Sequence, residues 1–247
     1  MSEWMSLLAW GDAGWGDQMV YGAMWTLVLA TVAFSLGIVI GSLGATAKLS
    51  SLPPARWLGQ GYTTVIRGVP DLLVIYLLFF GGNQAVMAIA RSVFGYDGYI
   101  ELNAFTIGAI ALGTVSGAYS TEVIRGAVLA VPRGQIEAAR ACGMSGWLLF
   151  RRIMVPQVAR YALPGLGNVW QLTLKDTSLI SIVGLVEIMR SASIASGSTQ
   201  KPFVFYLAAA VLYLVLTAGS NRAFGLAELW ACLLYTSDAA DERSSVD

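Results

Sequence analysis

The chain has 247 residues, of which 56% are hydrophobic and only 12% are charged, about half the charged fraction of a soluble domain. This composition excludes an ordinary soluble domain and identifies a membrane protein. The 15 basic and 15 acidic residues cancel, so the net charge indicates neither a nucleic-acid partner nor an acidic substrate.

Residue types that support metal or redox chemistry are scarce. The chain has no histidine, and its two cysteines, Cys142 and Cys232, fit no metal or redox spacing. We therefore expect no metal site and no disulfide framework. A membrane-embedded enzyme is also disfavoured, because there is no histidine and no cluster of carboxylates to supply an acid–base pair.

The first 19 residues lack the basic region of a signal peptide. They contain Trp4, Trp10 and Trp15, and tryptophan favours the headgroup region of a bilayer. We interpret residues 1–19 as an interfacial N-terminal segment.

Five later stretches are apolar over the roughly 20 residues that a helix needs to cross the hydrocarbon core. They predict an all-α membrane protein whose transmembrane domain covers residues 20–226. The predicted spans are 20–46, 59–82, 104–125, 162–186 and 203–224.

The distribution of basic residues predicts the orientation of these spans. With the N-terminus outside, eleven basic residues fall on the inner side, and only Arg91, Arg190 and Lys201 fall on the outer side. Basic residues concentrate on the cytoplasmic side of membrane proteins. We therefore expect the N-terminus outside and the C-terminus inside.

The second and third spans carry polar features near their predicted inner ends. Proline removes a backbone donor, so the group Arg67, Gly68, Pro70 and Asp71 is predicted to kink or break the second helix. Glu122 and Arg125 have the i, i+3 spacing of a pair on one helix face, which favours a structural role. Gly37 with Gly41, and Gly113 with Gly117, indicate close helix packing.

Residues 134–157 form the core of the largest predicted inner loop. A short helix is expected from Gly134 to Cys142, with Gly143 as its C-terminal cap. Ser145 suits the N-cap of a second helix that Pro156 is expected to end. Residue properties alone allow two interpretations, a docking element for another protein or an amphipathic helix on the lipid surface.

The fourth span contains two adjacent charged residues, Lys175 and Asp176. Ionisable groups in a span usually face a water-filled path or a partner. Asp176 is a plausible partner for the ammonium or guanidinium group of a substrate, whereas a structural Lys175–Asp176 pair is the alternative. The polar residues one to two turns earlier could add contacts to a substrate: Gln171, Asn168 and Trp170.

Residues 134–157 also carry a motif. Their residues Glu137, Ala138, Ala139, Gly143, Ile153 and Pro156 resemble, with the same spacing, the EAA motif of bacterial ABC-importer permeases. In that family the motif forms a cytosolic coupling helix, so we call residues 134–157 the coupling segment. Further stretches are similar to polar amino acid permeases of the histidine, lysine-arginine-ornithine and opine type: 61–73, 116–128, 151–171 and 174–185.

This resemblance implies a type I ABC importer permease fold in the bacterial inner membrane. The subunit would help to import polar, basic amino acids or opines, and it would bind no cofactor. ATP and Mg²⁺ would be bound by an ABC ATPase dimer that contacts the motif residues. No P-loop is present in the chain. The other implied partners are a second permease subunit, a periplasmic binding protein and membrane lipid. A stand-alone secondary transporter or channel is the alternative, although no internal repeat supports it.

The resemblance ends near Leu226. Members of the resembled family usually close with a basic tail, whereas residues 227–247 are acidic and rich in serine. We interpret them as an atypical tail of foreign or frame-shifted origin.

Overall fold

The computed structural model describes residues 6–11, 14–95, 98 and 103–244, with the side chains of these residues except 94 and 232–244. Trp4 of the predicted interfacial segment lies outside the described residues. The regular structure of the described part is helical throughout. The helices are α1 (Gly16–Leu49), α2 (Pro53–Gly68), α3 (Asp71–Tyr76), α4 (Gly82–Phe94), α5 (Ala104–Ala130), α6 (Arg133–Ala141), α7 (Gly146–Leu149), α8 (Val155–Asp176), α9 (Ile188–Thr199) and α10 (Pro202–Ser244).

Irregular helical turns connect several of these helices without a loop. The π-helical turn Leu77–Gly81 joins α3 to α4, and a second π-helical turn, Phe150–Met154, joins α7 to α8. A 3₁₀ helix, Thr177–Val183, continues α8.

Four helical stretches of the described chain are long and apolar enough to cross a bilayer: Gly16–Leu49, Asp71–Val93, Ala104–Ala130 and Pro202–Ala231. A fifth crossing forms when the bent pair Gly146–Val183 and Ile188–Thr199, with an angle of 48° between them, counts as one span. The predicted all-helical membrane fold is therefore confirmed, with four spans, or five when the bent pair is included.

The second span does not lie where the sequence predicts it. The predicted stretch 59–82 straddles a break, because α2 ends at Gly68 and Val69 is extended, with φ −106° and ψ 140°. A residue before proline avoids the helical region, and Pro70 has no N–H to continue the helix. The predicted break at Arg67–Asp71 is thus confirmed, and it moves the span to Asp71–Val93.

The central contact of the bundle is between α1 and α5. A Cβ atom at Gly37 would lie 2.5 Å from Ser116 Oγ, and one at Gly41 would lie 2.5 Å from Ser120 Cβ. The residue numbers rise together along both helices, so α1 and α5 run parallel. The close packing that the glycines predict occurs between helices of the same chain.

The remaining long helices surround this pair. Gly165 of α8 packs on Val123, and Ile180 packs on Gly108, so α8 runs antiparallel to α5. Phe224 of α10 contacts Phe34 of α1, with ring centroids 6.3 Å apart. The outward side of α10 exposes large apolar residues at helical spacing, which suits a lipid-facing surface: Phe203, Leu207, Val211 and Leu214.

Candidate functional site

The coupling segment forms two short helices joined by a tight turn. At the end of α6, Gly143 has φ +74°, a left-handed conformation that favours glycine. The Met144 N–H donates to the Ala139 carbonyl at 3.1 Å, as in a Schellman cap. The Ser145 hydroxyl accepts a hydrogen bond from the Leu148 N–H at 3.4 Å and caps α7. Both predicted caps are confirmed.

The sequence predicts that Pro156 ends the helix capped by Ser145, but the structure shows that it does not. The helical run continues from Gly146 to Asp176, because the π-helical turn Phe150–Met154 precedes the proline. In that turn the Val155 N–H bonds to the Phe150 carbonyl, five residues back. The wider turn relieves the clash that the Pro156 ring would otherwise make with a preceding carbonyl. The helical run that contains the fourth span therefore begins at Gly146, well before residue 162.

Four of the six motif residues of the coupling segment are exposed to solvent. Glu137, Ala138, Gly143 and Pro156 are exposed, Ile153 is partly buried and Ala139 is buried. Next to them, Trp147 and Phe150 stack with ring centroids 5.8 Å apart, although they are 70% and 50% exposed. Exposed aromatic residues beside an exposed small-residue helix form a surface suited to a partner.

The predicted pathway residues of α8 lie in different environments. Trp170 is buried and packs on Phe34, with ring centroids 5.4 Å apart, and the Gln171 Nε2 donates to Asn221 Oδ1 at 2.8 Å. Both therefore contact neighbouring helices. By contrast, Asn168 and Lys175 are exposed and Asp176 is half-buried.

Packing brings Asp176 towards the start of α3. Within the described part of the chain, no ion pair joins Lys175 to Asp176. Ile75 of α3 and Ile180, each four residues beyond an aspartate, pack in one apolar cluster with Leu112 of α5. The structure thus brings the fourth-span aspartate and the predicted second-helix break to the same part of the bundle.

Arg67 lies on one wall of an open cleft between α2 and α5. Its guanidinium carbon is 5.3 Å from the centroid of the Tyr119 ring. The cleft has a volume of about 370 Å³ and is mainly polar. Its lining residues are Gln60, Thr63, Thr64, Arg67, Gly68, Tyr119 and Glu122.

An ionic network borders this cleft. The predicted Glu122–Arg125 pair is confirmed, with Arg125 Nη2 3.0 Å from Glu122 Oε2. Lys48 of α1 also pairs with Glu122 and donates to Thr63 Oγ1 at 2.9 Å. Sequence reasoning missed Lys48, because nothing local links it to a residue 74 positions away.

A tyrosine of α2 also holds the wall of the cleft that carries Arg67. The Tyr62 hydroxyl donates to the Thr114 carbonyl at 2.6 Å. Burial raises the pKa of the Tyr62 phenol to about 12, so the hydroxyl remains a donor at neutral pH. This bond holds α2 on α5.

A second buried carboxylate, also missed, lies at the bend before α9. Glu187 is fully buried and accepts hydrogen bonds from the Met189 N–H at 2.9 Å and the Arg190 N–H at 2.8 Å. Its Oε2 also accepts from the Tyr213 hydroxyl at 3.1 Å and from Thr26 Oγ1 at 3.4 Å. In the sequence, Gly184 marks a turn three residues before Glu187, but glutamate is not a preferred N-cap residue, so no local signal identified this cap.

The described residues contain no group of three or more metal-ligating side chains that could hold an ion. The charged and polar side chains that line the cleft can bind a ligand through charge and hydrogen bonds.

Comparison with known proteins gives a consistent set of relatives. A family model described as "Binding-protein-dependent transport system inner membrane component" matches residues 37–228. The nopaline transport system permease protein NocQ of Agrobacterium fabrum is 59% identical over 227 residues, covering 92% of this chain and 96% of that protein. The histidine/lysine/arginine/ornithine transport system permease protein HisQ of Escherichia coli is 44% identical over 208 residues, covering 84% and 90%.

A solved structure agrees with these sequence relatives. The crystal structure of an amino acid ABC transporter with histidines superposes with a TM-score of 0.72 and 32% identity. The superposition covers 86% of this chain and 94% of that one.

Proposed function

The chain belongs to the family of binding-protein-dependent transport system inner membrane components, and from this premise we propose that its coupling segment docks on a separate ATP-hydrolysing subunit. The protein is a membrane-spanning permease subunit of an ABC importer for polar amino acids or opines in the inner membrane. In this family the ATPase is a separate subunit. ATP and Mg²⁺ are bound there, and this chain binds neither.

The observation that carries the docking proposal is the exposed turn at Gly143. Around it, Glu137 and Ala138 are exposed, although α6 is rigidly capped. A capped helix with small exposed side chains lets another surface approach its backbone closely. The stacked pair Trp147 and Phe150 adds apolar area beside it, which suits a protein cleft.

The continuous helical run from Gly146 to Asp176 supports a mechanism of coupling. It comprises 31 residues, or about 45 Å at 1.5 Å per residue. A displacement of α7 by the ATPase subunits would move the Asp176 end of the same helical run. ATP-driven closure of two ATPases would in this way rock the spans between outward-open and inward-open states.

The proposed assembly contains more than this chain. Five spans are few for a substrate path, so a second permease subunit, identical or paralogous, is part of the proposal. A periplasmic binding protein delivers the substrate to the outer face. With the N-terminus outside, the coupling segment lies on the cytoplasmic side, where the ATPase dimer is located.

Basic amino acids and opines are the proposed substrates. Asp176 is the residue of this chain that we assign to the cationic group of the substrate, with Asn168 and Lys175 exposed on the same helix. Trp170 and Gln171 act through packing, because both contact neighbouring helices.

Two variants of Gly143 test the docking proposal. Gly143→Val should reduce substrate uptake severalfold while the reconstituted importer still hydrolyses ATP, because a β-branched residue resists φ +74° and adds bulk at the docking surface. Gly143→Asn, which tolerates this conformation, should retain more uptake. The measurement is the ratio of substrate transported to ATP hydrolysed in proteoliposomes.

The control is Gly126→Val on the exposed side of α5, where a Cβ atom meets nothing within 4 Å. It should leave the transport-to-hydrolysis ratio unchanged. An unchanged ratio in Gly143→Val, with normal assembly, would contradict the docking proposal and favour the lipid-surface interpretation.

A further inference from the structure

The cleft beside Tyr119 has the properties of an anion site. Arg67 faces it with an exposed side chain, and within the described residues the guanidinium forms no ion pair. The carboxylate that also lines the cleft, Glu122, is already paired with Lys48 and Arg125. Arg67 therefore retains the ability to bind an anion from outside the chain.

Arg67 is also oriented for a planar anion. The Tyr119 ring lies 5.3 Å from the guanidinium carbon, and an arginine over an aromatic ring keeps its N–H edges available. Those edges match the two oxygens of a carboxylate. Thr64 and Gln60, one and two turns earlier on α2, add hydrogen-bonding groups to the same cleft.

The wall that carries Arg67 is held in place. The Tyr62–Thr114 hydrogen bond and the Lys48–Thr63 hydrogen bond fix α2 against α5 and α1. A fixed wall lowers the entropic cost of ordering the site when a ligand binds.

Negative charge lies nearby in the bundle. Asp71 and Asp176 are four residues before Ile75 and Ile180, which pack in one cluster with Leu112 of α5, two turns before Tyr119. The same part of the bundle thus offers a cation receptor and an anion receptor. A molecule with a cationic group and a carboxylate matches both.

We propose that Arg67 binds the carboxylate of the transported amino acid or opine, while Asp176, together with Asp71, binds its cationic group. This inference rests on the proposed function and deepens it. It makes Arg67 a specificity-determining residue that distinguishes amino acids from the corresponding amines.

The same oxyanion chemistry is present in a phospholipid phosphate. The substrate carboxylate is favoured, because Asp71 and Asp176, in the same part of the bundle, would repel an anionic headgroup and attract the cationic part of a substrate. The experiment separates a substrate carboxylate from a lipid phosphate by comparing nanodiscs with and without an anionic phospholipid.

The test uses the assembled importer in lipid nanodiscs without the binding protein, so that only the membrane subunits select the ligand. The probe is whichever of L-arginine, L-ornithine and L-histidine the complete wild-type importer takes up. Its equilibrium binding is compared with that of the amine lacking the carboxylate: agmatine, putrescine or histamine, respectively.

The wild type should bind the amino acid about tenfold or more tightly than the amine, the effect of a charged hydrogen bond. Arg67→Met should abolish this preference and leave amine binding unchanged, and Arg67→Lys should retain part of it. Asp176→Asn should weaken both ligands. The control Arg56→Met changes an exposed arginine of α2 outside the cleft, and it should keep the wild-type ratio.

Three results would overturn the carboxylate site. They are an unchanged ratio in Arg67→Met, an equal loss of both ligands in Arg67→Met and Arg67→Lys, and an Arg67 effect that occurs only in nanodiscs containing phosphatidylglycerol. The last would indicate a lipid headgroup. A wild-type importer that takes up none of the three amino acids, and neither octopine nor nopaline, would contradict the proposed substrate class itself, which separates that failure from failure of the Arg67 site.

Discussion

Lys48 connects the end of the first span to two other helices. Its side chain is only 7% exposed, yet it carries a full charge that contacts Glu122 of α5 and Thr63 of α2. A buried charge is tolerated only when it is paired. The ends of α1, α2 and α5 are therefore held together by one cation.

Lys48→Met should lower the stability of the solubilised protein by about 2 kcal/mol or more, because it removes one partner of a largely buried ion pair. Glu122 would still be paired with Arg125. The loss of stability is therefore smaller than for a buried carboxylate left without any partner. Thermal unfolding in detergent measures the effect.

The double variant Lys48→Met, Glu122→Gln is the matched control, since it removes both charges. It should recover part of the lost stability. If the single and double variants unfold at the same temperature as the wild type, the ion pair has no structural role.

The residue scale also shows where sequence reasoning is effective. The Glu122–Arg125 pair and the Gly143 and Ser145 caps were predicted, because each depends on residues within four positions. Lys48 and the partners of Glu187 were not, because they come from helices far away in the sequence.

Among the helices, the parallel contact of α1 with α5 is the closest. At Gly41 a Cβ atom would lie 2.5 Å from Ser120 Cβ and 3.0 Å from the Ser120 carbonyl carbon. Since the second of these atoms is backbone, a side chain at position 41 would force the helices apart.

Gly41→Leu should therefore destabilise the bundle by an amount on the order of 1–3 kcal/mol or more. Gly219→Leu on α10 is the control, because a Cβ atom there meets nothing within 4 Å. Size-exclusion profiles and melting temperatures in detergent compare the two variants. Equal melting temperatures would contradict the close packing of α1 on α5.

The two wrong helix boundaries also belong to this scale. The hydropathy pattern centred the second span on a proline break, and Pro156 was expected to end a helix that a π-helical turn allows to continue. Periodicity detects apolar length, but it does not detect a single π-helical turn or the exact residue of a break.

In the molecule as a whole, the C-terminal region has a first part that packs on α8 and a second part that lies beyond the family match. Asn221 and Phe224 of α10 contact Gln171 and Trp170, whereas the family match ends at residue 228. Since a crossing needs about 20 residues, the 43-residue α10 is longer than a single span requires.

Removing residues 233–247 should leave assembly and uptake intact, which membrane-fraction blots and transport assays can measure. Removing 221–247 should reduce the amount of folded protein, because it deletes the contacts to Gln171 and Trp170. Loss of uptake in the shorter truncation would contradict the interpretation of the tail as dispensable.

The sequence by itself determined the membrane class, the approximate number of spans, the break at Pro70 and the capped turn at Gly143. These features follow from composition and from interactions within a few residues. The tertiary structure alone decided that Arg67 lies over Tyr119, that Lys48 pairs with Glu122, and that Glu187 is enclosed by Thr26 and Tyr213. Those contacts depend on how the long helices pack, and the packing joins residues that no local pattern relates.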